Sequence, residues 1–91
     1  MFTVVWLKMA RNELARLWNN APAGRRNAVA LAADRIDRLL RRNAAEEGES
    51  RWDNFRVLFE SPLAVLYRVS PADRIVQVVS VWHNEKRNTN D

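Results

Sequence analysis

Five side chains in the C-terminal half of this chain are of types that can act on a charged substrate: Arg56, Glu60, Arg68, Trp82 and His83. The planar fork of arginine grips a phosphate or carboxylate through two parallel hydrogen bonds, which makes Arg56 and Arg68 candidates for clamping a phosphate. His83 is the only histidine, and an ordinary pKa of about 6.5 suits that side chain to proton transfer. Glu60 is placed to serve as a general base, and Trp82 offers a ring on which a base could stack. Arg51, Lys86 and Arg87 extend the set toward an RNA or protein partner. Each also has a plainer role: cross-strand pairing of the two arginines with Glu60, a solvated histidine at a strand end, a tryptophan in a core or interface, a solvated loop arginine.

For these residues to cooperate they must share a surface, and strand alternation says which do, because residues two apart lie on one face. In Phe55–Glu60, the apolar set Phe55, Val57 and Phe59 is expected in the core, leaving Arg56, Leu58 and Glu60 on the open side. In Leu63–Val69, the set Leu63, Val65, Tyr67 and Val69 is expected in the core, leaving Ala64, Leu66 and Arg68 outward. Arg56, Glu60 and Arg68 are thereby expected on one face.

The elements that carry them follow from periodicity. Phe2 to Leu7 is a β-branched and aromatic run of strand length. Ala10, Leu14, Leu17 and Ala21 then recur at helical spacing, widened by Met9 and Trp18, with Arg11, Glu13 and Arg16 on the remaining surface. Pro22 and Gly24 break the helix and permit a reversal. A second helix is expected from about Arg25 to Arg42, with Val29, Ala32, Ala33, Ile36, Leu39 and Leu40 as its apolar face. Its Asp34–Arg38 and Asp37–Arg41 pairs stand in the favourable acid-first order, and Arg41 and Arg42 sit at the negative end of the helix dipole. Asn43 to Arg51 reads as a polar loop. Ser61-Pro62 and Ser70-Pro71-Ala72-Asp73 are turn chemistry between three apolar runs, giving two successive hairpins that end at His83. The expected fold is α+β in the order β-α-α-β-β-β, one domain over residues 1–84 with a polar tail at 85–91.

Composition bounds the function. The chain has 91 residues, no cysteine, two glycines and three prolines, which fits a single core without disulfide staples. A single histidine excludes a histidine-based metal cluster, and two glycines so far apart exclude a Gly-rich phosphate loop. No cofactor or metal is expected. No run approaches the roughly 20 apolar residues of a membrane span, and the N-terminus lacks the pattern of a signal peptide, so a cytoplasmic protein is expected. Lys+Arg exceed Asp+Glu by 15 to 11 and only Lys8 and Lys86 are lysines, which fits a polyanionic partner or, more plainly, solubility.

Val4-Val5-Trp6, Ala10 with Glu13-Leu14, Ala33-Asp34 with Ile36-Asp37 and Leu40, Gly48 to Arg51, Pro62-Leu63 to Tyr67-Arg68-Val69, and Asp73-Arg74 to Val81-Trp82-His83 together resemble the RelE/ParE superfamily of bacterial toxins. The resemblance runs from about Thr3 to His83. It implies a sheet packed on a helical hairpin with a basic face opposite, and a cognate antitoxin that wraps the toxin. It also implies one of two activities. The RelE branch cleaves mRNA in the ribosomal A site; the ParE branch inhibits DNA gyrase. Metal-free RNA cleavage needs a base for the 2′-hydroxyl, cations on the phosphorane and an acid for the leaving oxygen. Arg56 matches a cation of the nuclease branch, and His83 lies near its terminal acid/base position. Ala64 stands where that branch carries its main transition-state arginine. Arg68 lies roughly 12 Å or more further along the strand, Asn84 replaces a cation, and no tyrosine follows. The resulting expectation is a ribosome-dependent mRNA endonuclease using Arg56, Arg68 and His83. The alternatives are a gyrase inhibitor and an inert antitoxin-binding relative.

Overall fold

Strand β1 (Thr3–Trp6), helices α1 (Lys8–Asn20) and α2 (Ala23–Asn43), and strands β2 (Glu49–Ser50), β3 (Phe55–Glu60), β4 (Leu63–Ser70) and β5 (Ile75–His83) follow one another along the chain. They come from a computed structural model that describes residues 1–84. The five strands form one sheet in the order β1-β5-β4-β3-β2. β1 lies parallel to β5, and the remaining neighbours are antiparallel. The expected strand-helix-helix-meander order therefore holds, while the sheet has one strand more than expected. β2 arises within the polar loop, where Glu49 and Ser50 pair with Val57 and Arg56.

Both helices lie on one side of the sheet. α2 buries Val29, Ala32, Ile36 and Leu40, the predicted stripe, and α1 buries Ala10. These meet Leu58, Leu63, Val65, Tyr67, Val69, Val76, Val78 and Val81 in a single core. Burying each valine, leucine or isoleucine among them stabilises by about 1.5–3 kcal/mol. The α1–α2 turn at Ala21-Pro22 is as short as Pro22 demands.

The register of β3 corrects an expectation. Phe55 faces Arg68, Val57 faces Leu66 and Phe59 faces Ala64, whereas Arg56, Leu58 and Glu60 face Tyr67, Val65 and Leu63. Directly opposed residues share a face, so Arg56, Leu58 and Glu60 lie on the helix side and Phe55, Val57 and Phe59 on the open side. The assignment made from β3 alone is inverted. Its cause is that Arg56 and Glu60 find partners on the helix side, the Glu47 and Gly48 carbonyls and Arg35, which lie outside β3 and leave no mark on its alternation.

Candidate functional site

On the helix side, Arg56 is engaged by the backbone. Its Nε donates to the Glu47 carbonyl at 2.7 Å and its Nη2 to the Gly48 carbonyl at 3.1 Å, which ties β3 to the turn before β2. The Tyr67 hydroxyl, fully buried, contacts the same Glu47 carbonyl at 2.6 Å and the Ala44 carbonyl at 3.1 Å. Its single proton serves the shorter contact best. Burial raises the phenol pKa, opposed by the Arg56 guanidinium, which donates to it and favours the phenolate. Gly48 closes this corner at φ 67°, where a Cβ would stand 2.9 Å from the Val57 carbonyl carbon and collide with its oxygen. Tyr67 and Gly48 were not expected as organising residues. A tyrosine placed among the core positions of β4, needing a partner for its hydroxyl, was the available signal.

Glu60 is likewise committed on the helix side. It accepts from Arg35 Nε of α2 at 2.9 Å, and Arg35 Nη2 donates to the Ser61 carbonyl at 3.2 Å. The pair pins the end of β3 to α2. It is half-exposed, so its contribution is modest. The cross-strand pairing of Glu60 with Arg56 or Arg68 does not occur.

The open face is apolar and aromatic rather than basic. Phe55, Val57 and Phe59 of β3 stand beside Leu66 and Ala64 of β4, and Ala64 is flanked on its other side by Trp82 of β5. Phe59 and Trp82 keep 45% and 37% of their surface exposed, yet Ala64 between them has none. The position that the nuclease branch gives to an arginine is thus a closed floor between two aromatic rings. Trp52 extends the strip, its ring 5.5 Å from that of Phe55. Arg68, between Phe55 and Gln77, is the cation here; it is exposed and forms no ion pair among the described residues. The basic face implied by the resemblance is absent from this side of the sheet.

A β-bulge between β4 and β5, where Leu66 faces Ser80 but Tyr67 faces Val78, re-aims the end of β5. Trp82 falls beside Ala64 on the open side, and His83 beside Leu63 on the helix side. His83 there joins Leu17, Asn20, Pro22, Arg25 and Pro62 around a depression of about 390 Å³ at the α1–α2 turn. Since β1 ends at Trp6, Glu13 of α1 takes over beyond it, accepting from the Val81 N–H at 3.0 Å and from Ser80 Oγ at 3.1 Å.

The three expected catalytic residues therefore do not converge. Arg68 projects from the open face, Arg56 is engaged on the helix side near β2, and His83 lies on the helix side at the far end of β5 and β4. Arg51 pairs with Glu49 at 3.1 Å at the sheet edge. Lys86, Arg87 and the tail at 85–91 lie outside the described residues. Among the described residues, no group of His, Asp and Glu is placed to hold a metal ion, and no helix is long and apolar enough to cross a membrane.

The model of the family described as "ParE toxin of type II toxin-antitoxin system, parDE" matches residues 4–88. No curated protein matches the chain significantly. Among solved structures, a RelBE toxin–antitoxin complex from Mycobacterium tuberculosis superposes with a TM-score of 0.74 at 18% identity, covering 93% of each chain. A chromosomal ParDE system from P. aeruginosa gives 0.73 at 18% identity, covering 93% of this chain and 98% of that one. The isolated RelE toxin from E. coli gives 0.58 at 15% identity, covering 99% and 90%. The fold is shared with both branches.

Proposed function

The chain belongs to the ParE family of toxins from type II toxin–antitoxin systems, and from that premise we propose that it acts by binding, as an inhibitor of DNA gyrase kept in check by a cognate antitoxin, rather than by cleaving ribosome-bound mRNA. The observation that carries this reading is the dispersal of Arg56, Arg68 and His83. General acid–base cleavage requires its groups within hydrogen-bond reach of one substrate. Arg56 instead bonds Glu47 and Gly48, and the Ala64 floor under Phe59 and Trp82 leaves no opening for a transition-state cation.

Inhibition by binding asks for a different surface. It needs exposed, rigid anchors, and aromatic residues with arginine dominate such contacts. Trp52, Phe59 and Trp82 with Arg68 supply them on the open face, which no other element of the described chain covers. In this reading Trp82 keeps its expected partner-binding role. Glu60 becomes a brace between sheet and helix.

The experiment is a pair of assays on the purified chain. Supercoiling by gyrase should be lost at stoichiometric toxin while ribosome-bound mRNA stays intact, and His83→Ala should inhibit as well as the parent. Codon-dependent cuts in mRNA that His83→Ala abolishes would overturn the reading in favour of the nuclease. Neither activity, with antitoxin binding retained, would identify an inert relative.

A further inference from the structure

The charge of the molecule is segregated onto one helix. α2 carries six arginines against two aspartates, Asp34 and Asp37, a surplus of four, and the net charge of the whole chain is +4. All remaining residues therefore balance to zero. Within α2 the arginines are not spread evenly. Arg35, Arg38 and Arg42 follow one another at spacings of three and four, so they form one stripe about 10 Å long. They line a shallow depression of about 350 Å³ with Leu39 and Glu60. Arg41 flanks the stripe.

We propose that this stripe is a binding surface for the sugar–phosphate backbone of duplex DNA. Arg42 is exposed and forms no ion pair among the described residues. Arg38 pairs with Asp34 at 3.0 Å, but both side chains are more than 60% exposed, 63% and 61%. Such a pair is worth little and gives way to a stronger acceptor. Arg35 is held by Glu60 with part of its fork toward solvent. The polyanion that matches three guanidinium groups over so short a span is one of high charge density. Duplex DNA presents one charge per about 1.7 Å of axis, or roughly six along the stripe.

Two observations favour the duplex over other polyanions. Proteins that hold single-stranded nucleic acid interleave cations with aromatic platforms for the bases. The stripe has Leu31 and Leu39 beside it and no aromatic residue, the exposed aromatics of the sheet lying on the opposite side of the molecule. An acidic protein segment, in turn, offers isolated carboxylates, which α2 already supplies for itself at Asp34 and Asp37.

The test is fluorescence anisotropy of the full chain with a labelled duplex of arbitrary sequence, across a salt series. Three to four phosphate contacts give a slope of log K against log salt of about −2.7 to −3.6, or roughly a 40- to 150-fold loss for a fourfold rise in salt. The double variant Arg38→Gln/Arg42→Gln should lower affinity about tenfold or more and reduce the slope by about two. The equally neutralised control Lys8→Gln/Arg16→Gln, on α1, should bind within about twofold of the parent, with the fold of each variant checked by circular dichroism. Equal losses in both variants would mean net charge alone is at work, and would overturn the proposal. So would competition by polyglutamate or single-stranded RNA as effective as that by unlabelled duplex. Because this readout omits gyrase, its outcome is independent of the inhibition assay.

Discussion

Replacing Arg56 by methionine separates a structural arginine from a catalytic one. Methionine keeps most of the apolar stem and removes the guanidinium, so the change isolates the hydrogen bonds from packing. Two of these bonds run to the Glu47 and Gly48 carbonyls at 2.7 and 3.1 Å. Bonds from a charged donor contribute about 1.5–3 kcal/mol each, and the half-exposed setting argues for the low end, or about 3 kcal/mol for the two. A chain of this length unfolds with an entropy of roughly 0.19 kcal/mol/K near its midpoint, so the melting temperature should fall by about 15 °C. Thermal unfolding followed by circular dichroism reads the shift, and gyrase inhibition measured well below both midpoints should be within about twofold of the parent. A cycle with Tyr67→Phe should show coupling of about 0.5–3 kcal/mol, since both side chains meet at the Glu47 carbonyl. A midpoint unchanged within about 3 °C together with lost toxicity would refute this reasoning and return Arg56 to the substrate.

Gly48→Ala should cost more than about 2 kcal/mol by chemical denaturation, combining the penalty of a left-handed backbone with a collision at the Val57 carbonyl; a loss below about 1 kcal/mol would show that the corner can relax. The contribution of Tyr67 to stability should be complete below pH of about 10 and be lost above it, because burial raises the Tyr67 pKa and the unfolded chain then ionises first. Tyr67→Phe should flatten that alkaline slope, and an unaltered slope would assign it elsewhere. Trp82→Ala should weaken gyrase binding by about 30-fold, the effect of a loss of about 2 kcal/mol at a contact anchor; unchanged inhibition would remove the open face from the interface.

The strand, helical hairpin and meander were legible because their apolar periods are unbroken, as in the α2 stripe Val29, Ala32, Ile36 and Leu40. β2 was not, since Glu49 and Ser50 have no strand character of their own and pair only because Gly48 turns the chain onto the edge of β3. The faces of β4 were read correctly and those of β3 inverted. In β4 the apolar set contrasts with an exposed arginine. In β3 the arginine and glutamate are the buried-side pair, satisfied by carbonyls and by Arg35, partners distant in sequence. The departure at Ala64 was visible in the sequence, but its enclosure by Phe59 and Trp82 depended on a cross-strand register that the bulge in β5 shifts.

The parallel pairing of β1 with β5 places Thr3 against Ile75 and Trp6 against Val78. Among the described residues, the first strand thus finds its only sheet neighbour in the last. Chains are made at about 5–20 residues per second, and contacts between distant segments form only after both are available. Until β5 has emerged, β1 and Glu13 of α1 lack the partners that seat them, and the aromatic face lacks Trp82. The face that the proposed inhibition uses is therefore complete only once β5 has joined the sheet, and a chain that stops before Ile75 would lack both Trp82 and the seat of β1.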